Sequence, residues 1–327
     1  MVLTTVEEAL LGTFPALRIR CGPNEVLISL RGATLLSWTF EGTDLIDGYS
    51  SPEELTDQDS LRSAVMMPFS NRIRGNRYRY RQKEISFDEE GPGGRDVVLH
   101  GITRNSDFTV EGILRETDKV SVLFATTALQ NQRGVGYPYS VRAEVEYTIT
   151  PDGVGLITSG SNDGLEVAPF GMGWHPYFSL GVSNVSALEL MTSATHRVLT
   201  DSSLIPVEGA AAIIPVEGLM DFRAFRPLEA VELDTCFVGL ESGPDGLFHT
   251  FVRNSEAGLM LDVWQERGFV HIYTGGTSAN PRGSLAVEPV EALTNAFNRS
   301  DQENAIALRP GETRSFRFGA RLEKEKR

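Results

Sequence analysis

The sequence predicts an all-β protein, a large antiparallel β-sandwich with few short helices. Three observations carry that prediction: long runs alternate apolar and polar residues, turn signals punctuate the runs, and helical periodicity is scarce. Successive strand residues point to opposite faces, so alternation with period two marks a half-buried strand.

Taken in chain order, strands are expected over residues 16–21, 25–30 and 34–40. Arg77-Tyr78-Arg79-Tyr80-Arg81 places three arginines on one face and two tyrosines on the other. Residues 120–126 and the long alternation Ser140-Val141-Arg142-Ala143-Glu144-Val145-Glu146-Tyr147-Thr148-Ile149 follow, then 259–264, 269–273 and Ser315-Phe316-Arg317-Phe318. Between them stand Gly22-Pro23-Asn24, Gly91-Pro92-Gly93-Gly94, Pro151-Asp152-Gly153 and Gly243-Pro244-Asp245-Gly246, residues that favour tight turns. The best helical stretches are 6–11 and 52–56, both short. The charged end Glu323-Lys324-Glu325-Lys326-Arg327 is expected to fray into solvent.

The chain has 327 residues, 41% apolar and 23% charged, the make-up of a globular protein able to bury a substantial core. No repeat, linker or composition break marks a boundary, so one domain over 1–327 is expected. A net charge of −14 disfavours a nucleic-acid partner, which needs a basic surface. No apolar run is long enough to span a membrane, and the first residues lack the basic region of a signal peptide. The two cysteines, Cys21 and Cys236, form no framework and suit small buried residues in a reducing compartment. We therefore expect a cytoplasmic protein, a monomer or homodimer, without membrane or nucleic-acid partners.

Only five histidines occur. His196 and His249 have no apparent partner and are expected to be surface or structural. His271 shares a strand face with Phe269 and Tyr273, where a packed ring is the first reading and a site wall the second. His100 precedes Gly101, and His175 lies in Phe170-Gly171-Met172-Gly173-Trp174-His175-Pro176-Tyr177-Phe178. Glycines beside a polar residue admit close approach, and aromatic rings suit the apolar face of a sugar. Glu288 ends an apolar run before Pro289, so its carboxylate faces either solvent or a pocket; Asp234 raises the same question. Asn71-Arg72-Ile73-Arg74-Gly75-Asn76-Arg77 is either a solvated hairpin or a guanidinium fork for vicinal hydroxyls or a carboxylate.

In order, these segments resemble the aldose 1-epimerase family. The matching pieces are Pro68-Phe69-Ser70-Asn71-Arg72-Ile73, Leu99-His100-Gly101, Gly136-Tyr137-Pro138, and His175-Pro176-Tyr177-Phe178-Ser179-Leu180. They continue with Leu233-Asp234-Thr235-Cys236-Phe237, Tyr273-Thr274-Gly275, and Val287-Glu288-Pro289 followed by Asn295-Ala296-Phe297-Asn298. The resemblance implies the galactose mutarotase-like supersandwich. It implies Glu288 as catalytic base and His175 as catalytic acid, with His100, Arg72 and Asp234 binding the sugar. Asn71 and Tyr177 would support them. No metal or other cofactor is implied.

Three departures from the galactose-specific pattern stand out. Leu99-His100-Gly101-Ile102-Thr103-Arg104 follows the divergent branch that includes hexose-6-phosphate 1-epimerases; Val290 replaces the usual Gln; and Trp174 replaces the usual Asn. The acid–base pair stays, while the sugar is left open. The expected activity is interconversion of the α and β anomers of a free hexose, with neighbouring negative charge raising the pKa of His175. A hexose-6-phosphate 1-epimerase is the alternative, with Arg74, Arg77 and Arg104 as phosphate candidates. A non-catalytic sugar-binding protein on the same fold, a glycoside hydrolase, and a zinc hydrolase using His100, His175 and a carboxylate are the others.

Overall fold

The computed structural model describes residues 3–87, 98–130, 136–229, 231–276, 278 and 280–324. The expected all-β antiparallel sandwich is what it contains. Among the described residues, the largest sheet has nine strands. Their spatial order is Arg226–Pro227, Glu189–Thr192, Phe248–Asn254, Leu259–Gln265, Thr313–Lys324, Gly153–Asn162, Val141–Thr150, Val120–Thr126 and Thr109–Arg115. An eight-stranded sheet is built around Asp234–Val238, Phe269–Tyr273 and Leu285–Val290, with the short strands Gly173–Trp174 and Val65–Met66 at one side.

Alternation explains how these sheets meet. Along Val141–Thr150 every second side chain is buried, the pattern of a strand with one face on a core. Trp174 of the eight-stranded sheet stacks on Phe318 of the nine-stranded sheet, with centroids 6.0 Å apart. Such aromatic pairs add about 0.5–1.5 kcal/mol beyond the area they bury. The strand Leu285–Val290 is buried along its whole length. A polar residue there must face something other than bulk water, which settles the question raised by Glu288.

A five-stranded meander, Thr4–Leu11 through Thr43–Asp44, covers part of the sandwich. It is tied down by Asn24, whose amide donates to the Thr150 carbonyl while its oxygen accepts from the Trp38 indole. Residues 6–11, expected as a helix, belong to its first strand and pair in register with Phe14–Cys21. Six residues are too few to hold a helix alone in water, and the neighbouring strand supplies the backbone partners. The helix expected at 52–56 is present as Pro52–Asp57, capped by the Ser51 hydroxyl.

At the C-terminal end the last strand runs to Lys324, which pairs with Glu41 at 2.6 Å, so the expected fraying does not begin at Glu323. Residues 325–327 and the Gly91–Gly94 turn lie outside the described residues. Cys21 and Cys236 are buried free thiols.

Candidate active site

Strand register builds one wall of the site. In antiparallel pairs, residues directly opposite share a face. Asp234 lies opposite Tyr273, Cys236 opposite His271, His271 opposite Glu288, and both Tyr273 and Tyr177 opposite Ala286. Alternation therefore puts Asp234, His271, Tyr273, Glu288 and Tyr177 on a single face of the eight-stranded sheet.

His175 sits between the short strands Gly173–Trp174 and Tyr177–Phe178. Its N–H donates to the Ala64 carbonyl and its own carbonyl accepts from Ser63. The ring stacks on Tyr177 with centroids 5.0 Å apart. His100 comes from a loop on the other side. Its φ is 54°, and Gly101 follows at φ 74°. A Cβ on Gly101 would stand 2.1 Å from the Met67 carbonyl oxygen, so only glycine fits there. The His100 N–H donates to the Asn71 carbonyl, and the Asn71 N–H donates to His100 Nδ1. Asn71 Oδ1 also accepts from Arg72 Nη1, which steers the guanidinium.

These elements enclose a cavity of about 490 Å³, within the range of small-molecule sites. All seven residues singled out from the sequence (Asn71, Arg72, His100, His175, Tyr177, Asp234 and Glu288) line it. His175 Nε2 lies 3.3 Å from Glu288 Oε1, and both side chains are almost wholly buried. The His100 and His175 rings meet edge-on at 4.8 Å. His175 Nδ1 and Glu288 Oε2 are buried without a hydrogen-bond partner. Buried polar atoms are normally satisfied, by protein groups or by ordered water.

His271 was read first as a packed ring. It lines the cavity instead, with Nε2 2.8 Å from Asp234 Oδ1. Its alternation with Phe269 and Tyr273 gave the face; the pairing with Asp234, 37 positions away in sequence, depends on register that no local pattern reveals.

The electrostatics reverse one expectation. Burial pushes the His175 imidazole down to about 3 and the Glu288 carboxyl up to about 7. Negative charge nearby does not hold His175 protonated; desolvation outweighs it. The pair at 3.3 Å thus carries one proton between its two members near neutral pH. Burial likewise pushes His100 well below its ordinary range, with His175 adding to it. Its Nδ1 is enclosed by the Asn71 backbone nitrogen at 3.3 Å and by Met66 Sδ at 2.7 Å.

His100, His175 and Glu288 hold donor atoms within 4.8 Å of one another, a set whose types suit a divalent ion. Their surroundings do not. A metal-bound imidazole usually donates its other N–H to a partner. Here His175 Nδ1 has none among the described residues. The trio fits acid–base work better.

The three arginines considered for a phosphate do not reach the cavity. Arg104 is buried against Gln58 and the Leu99 carbonyl; Arg74 pairs with Asp201 at 2.6 Å; and Arg77 is exposed on its strand. Among the described residues, Arg72 is the one Arg or Lys lining the cavity, against Asp59, Glu232, Asp234 and Glu288.

A buried histidine–carboxylate pair lies in a sugar-sized hollow of an antiparallel sandwich, an arrangement that can move protons on a small polar molecule. Comparison with known proteins gives the family. Residues 16–321 match the aldose 1-epimerase family model, and the chain belongs to that family. Two Escherichia coli K12 proteins, themselves uncharacterised, are related. YphB is 31% identical over 264 residues, covering 79% of this chain and 82% of its own. YihR is 23% identical over 282 residues, covering 86% and 85%. Among solved structures, galactose 1-epimerase from Lactobacillus acidophilus superposes over 100% of both chains, with TM-score 0.83 and 15% identity. A galactose mutarotase-like protein from Clostridium acetobutylicum superposes over 99% of both, with TM-score 0.82 and 16% identity. The fold is that of the galactose mutarotases.

Proposed function

We propose that this chain, acting as one domain, interconverts the α and β anomers of a free hexose-sized aldose without a cofactor. The observation that carries this reading is the contact between His175 Nε2 and Glu288 Oε1 at 3.3 Å in a cavity of about 490 Å³.

Anomer exchange needs a base at the C1 hydroxyl and an acid at the ring oxygen. In the reactive form the shared proton rests on His175 and Glu288 is ionised. Glu288 takes the proton from the C1 hydroxyl as His175 protonates O5. The C1–O5 bond breaks and an aldehyde forms at C1. Rotation about C1–C2 exposes its other face. His175 then removes the proton from the O5 hydroxyl, that oxygen attacks C1, and Glu288 returns its proton to O1. The pair finishes as it began, so no redox step or covalent adduct enters. Each positioned acid or base typically contributes about 10²–10⁴-fold.

Arg72, Asp234 and His100 would bind hydroxyls, and Tyr177 would give the sugar an aromatic wall. The acidic lining favours a neutral sugar over a phosphorylated one, since four carboxylates face one guanidinium.

Polarimetry on freshly dissolved α-anomers tests the proposal. Protein should speed the approach to equilibrium for at least one neutral aldose and leave glucose 6-phosphate at its background rate. Sugar binding without any acceleration across the panel would reduce the protein to a binding module.

A further inference from the structure

The reading of Glu288 as base leaves a difficulty. Asp234 and Glu288 are two carboxylates in one largely buried cavity, and like charges there cannot both ionise cheaply. Arg72 is the single guanidinium lining it among the described residues. Something else must balance the second negative charge.

We infer that His271, clamped by Asp234 on one neighbouring strand and facing Glu288 on the other, is a positioning residue: a fixed imidazolium that lets Glu288 accept a proton beside Asp234. The geometry is specific. The ring belongs to the strand Phe269–Tyr273, lies directly opposite Glu288 in the ladder, and is 7% exposed. Its Nε2 is held 2.8 Å from Asp234 Oδ1, which fixes the ring plane. The groups around it are Asp234 and Cys236 from one strand, Glu288 from the other, and His175, His100 and Arg72 across the cavity. Burial opposes charge on this ring, yet Glu288 and the Asp234 hydrogen bond outweigh it and raise the pKa well above the ordinary value. The influence is mutual: His271 acts to lower both Glu288 and His175.

The inference rests on Glu288 being the base, and its test separates the two. His271→Gln keeps a hydrogen-bonding group near Asp234 and deletes the charge. Removing a positive charge makes every neighbour easier to protonate, so the whole pH–rate profile should move to higher pH by about one unit or more. The alkaline limb near pH 7 and the acid limb then both move up, so at pH 8 the variant should keep a larger share of its own maximal kcat than the wild type and near pH 4 a smaller one, with KM little changed. A profile that does not move, or a loss confined to KM, overturns the proposal.

Nitrogen NMR of the histidine rings supplies a readout free of activity and of that variant's folding. With His271 assigned through its backbone signals, its ring should be doubly protonated at pH 8 in the wild-type protein. It should titrate at lower pH in Glu288→Gln. A neutral His271 ring at pH 8 overturns the inference even if the enzyme is active. Should the wild-type protein exchange no anomers, the functional reading fails while this measurement still decides the charge.

Discussion

Two histidine–carboxylate clusters sit on the two large sheets, and they are built to opposite ends. On the nine-stranded sheet, His249 Nδ1 lies 2.8 Å from Asp262 and Nε2 3.0 Å from Asp245, with Arg321 reaching 3.8 Å to both aspartates. Both ring nitrogens are engaged and the charges balance. In the cavity, His175 Nδ1 and Glu288 Oε2 have no hydrogen-bond partner among the described residues. Leaving a buried polar atom unmet costs about 1–3 kcal/mol. The closed cluster is a staple; the open one retains unmet valence at a cost to stability, the mark of a place where a ligand completes the bonding.

The largest effect belongs to the open cluster. Glu288→Gln or His175→Asn should slow anomer exchange by at least two orders of magnitude, the usual weight of an acid or base, while thermal unfolding shows stability held or slightly gained. A variant that lost stability and kept its rate would place these residues among the staples.

Gly101→Ala should come next. Its Cβ collides with the Met67 carbonyl from a left-handed backbone, so His100 must shift. A destabilisation of about 1–3 kcal/mol is expected, along with at least a tenfold loss in kcat/KM, from chemical denaturation and kinetics on the same sample.

The closed cluster should behave inversely. His249→Gln is expected to cost about 1–2 kcal/mol in chemical denaturation and to leave anomer exchange untouched. Its pH dependence has a definite sign. Burial works against charge on His249, but Asp245 and Asp262 raise its pKa above 6.5. Its stabilisation is fully present below the unfolded value and fades as pH rises through the folded one. Asp245, lowered from 3.8 chiefly by the hydrogen bond to His249, contributes above that value and loses its share as pH falls through its folded pKa. The staple is therefore strongest between those limits, and the difference in stability between wild type and His249→Gln should shrink on both sides.

The smallest effect concerns the open cluster's own titration. With Glu288 pushed up to about 7, kcat/KM should fall on the alkaline side as the pair loses its single proton near that pH. On the acid side it should fall only well below, as His175 takes up a second proton toward about 3. A flat profile from pH 5 to 9 would remove the pair from the reaction.

The contrast also shows how far sequence can see. Val141–Thr150 and Phe269–Tyr273 announce themselves because alternation is local and burial follows it. Glu288 and His175 stood out through the motif pieces around them, and the cavity collects them with Asn71, Arg72, His100, Tyr177 and Asp234. His249 was read as partnerless because Asp262 lies across a hairpin and Asp245 in its approach. His271 was read as packing because its neighbour Asp234 is fixed by strand register, which is set by the whole sheet. Residues 6–11 were misjudged for the same reason: a neighbouring strand overrode a weak local pattern. Local periodicity carries the elements; which side chains meet, and how dry the meeting place is, belongs to the assembled sandwich.

The most direct test of the central claim is magnetisation exchange between the α and β anomeric proton signals of a neutral aldose at equilibrium, recorded with catalytic amounts of protein. The account predicts transfer far faster than in buffer for the wild type and none above buffer for Glu288→Gln. Transfer at the buffer rate with wild-type protein across a panel of aldoses, or undiminished transfer with Glu288→Gln, would contradict it.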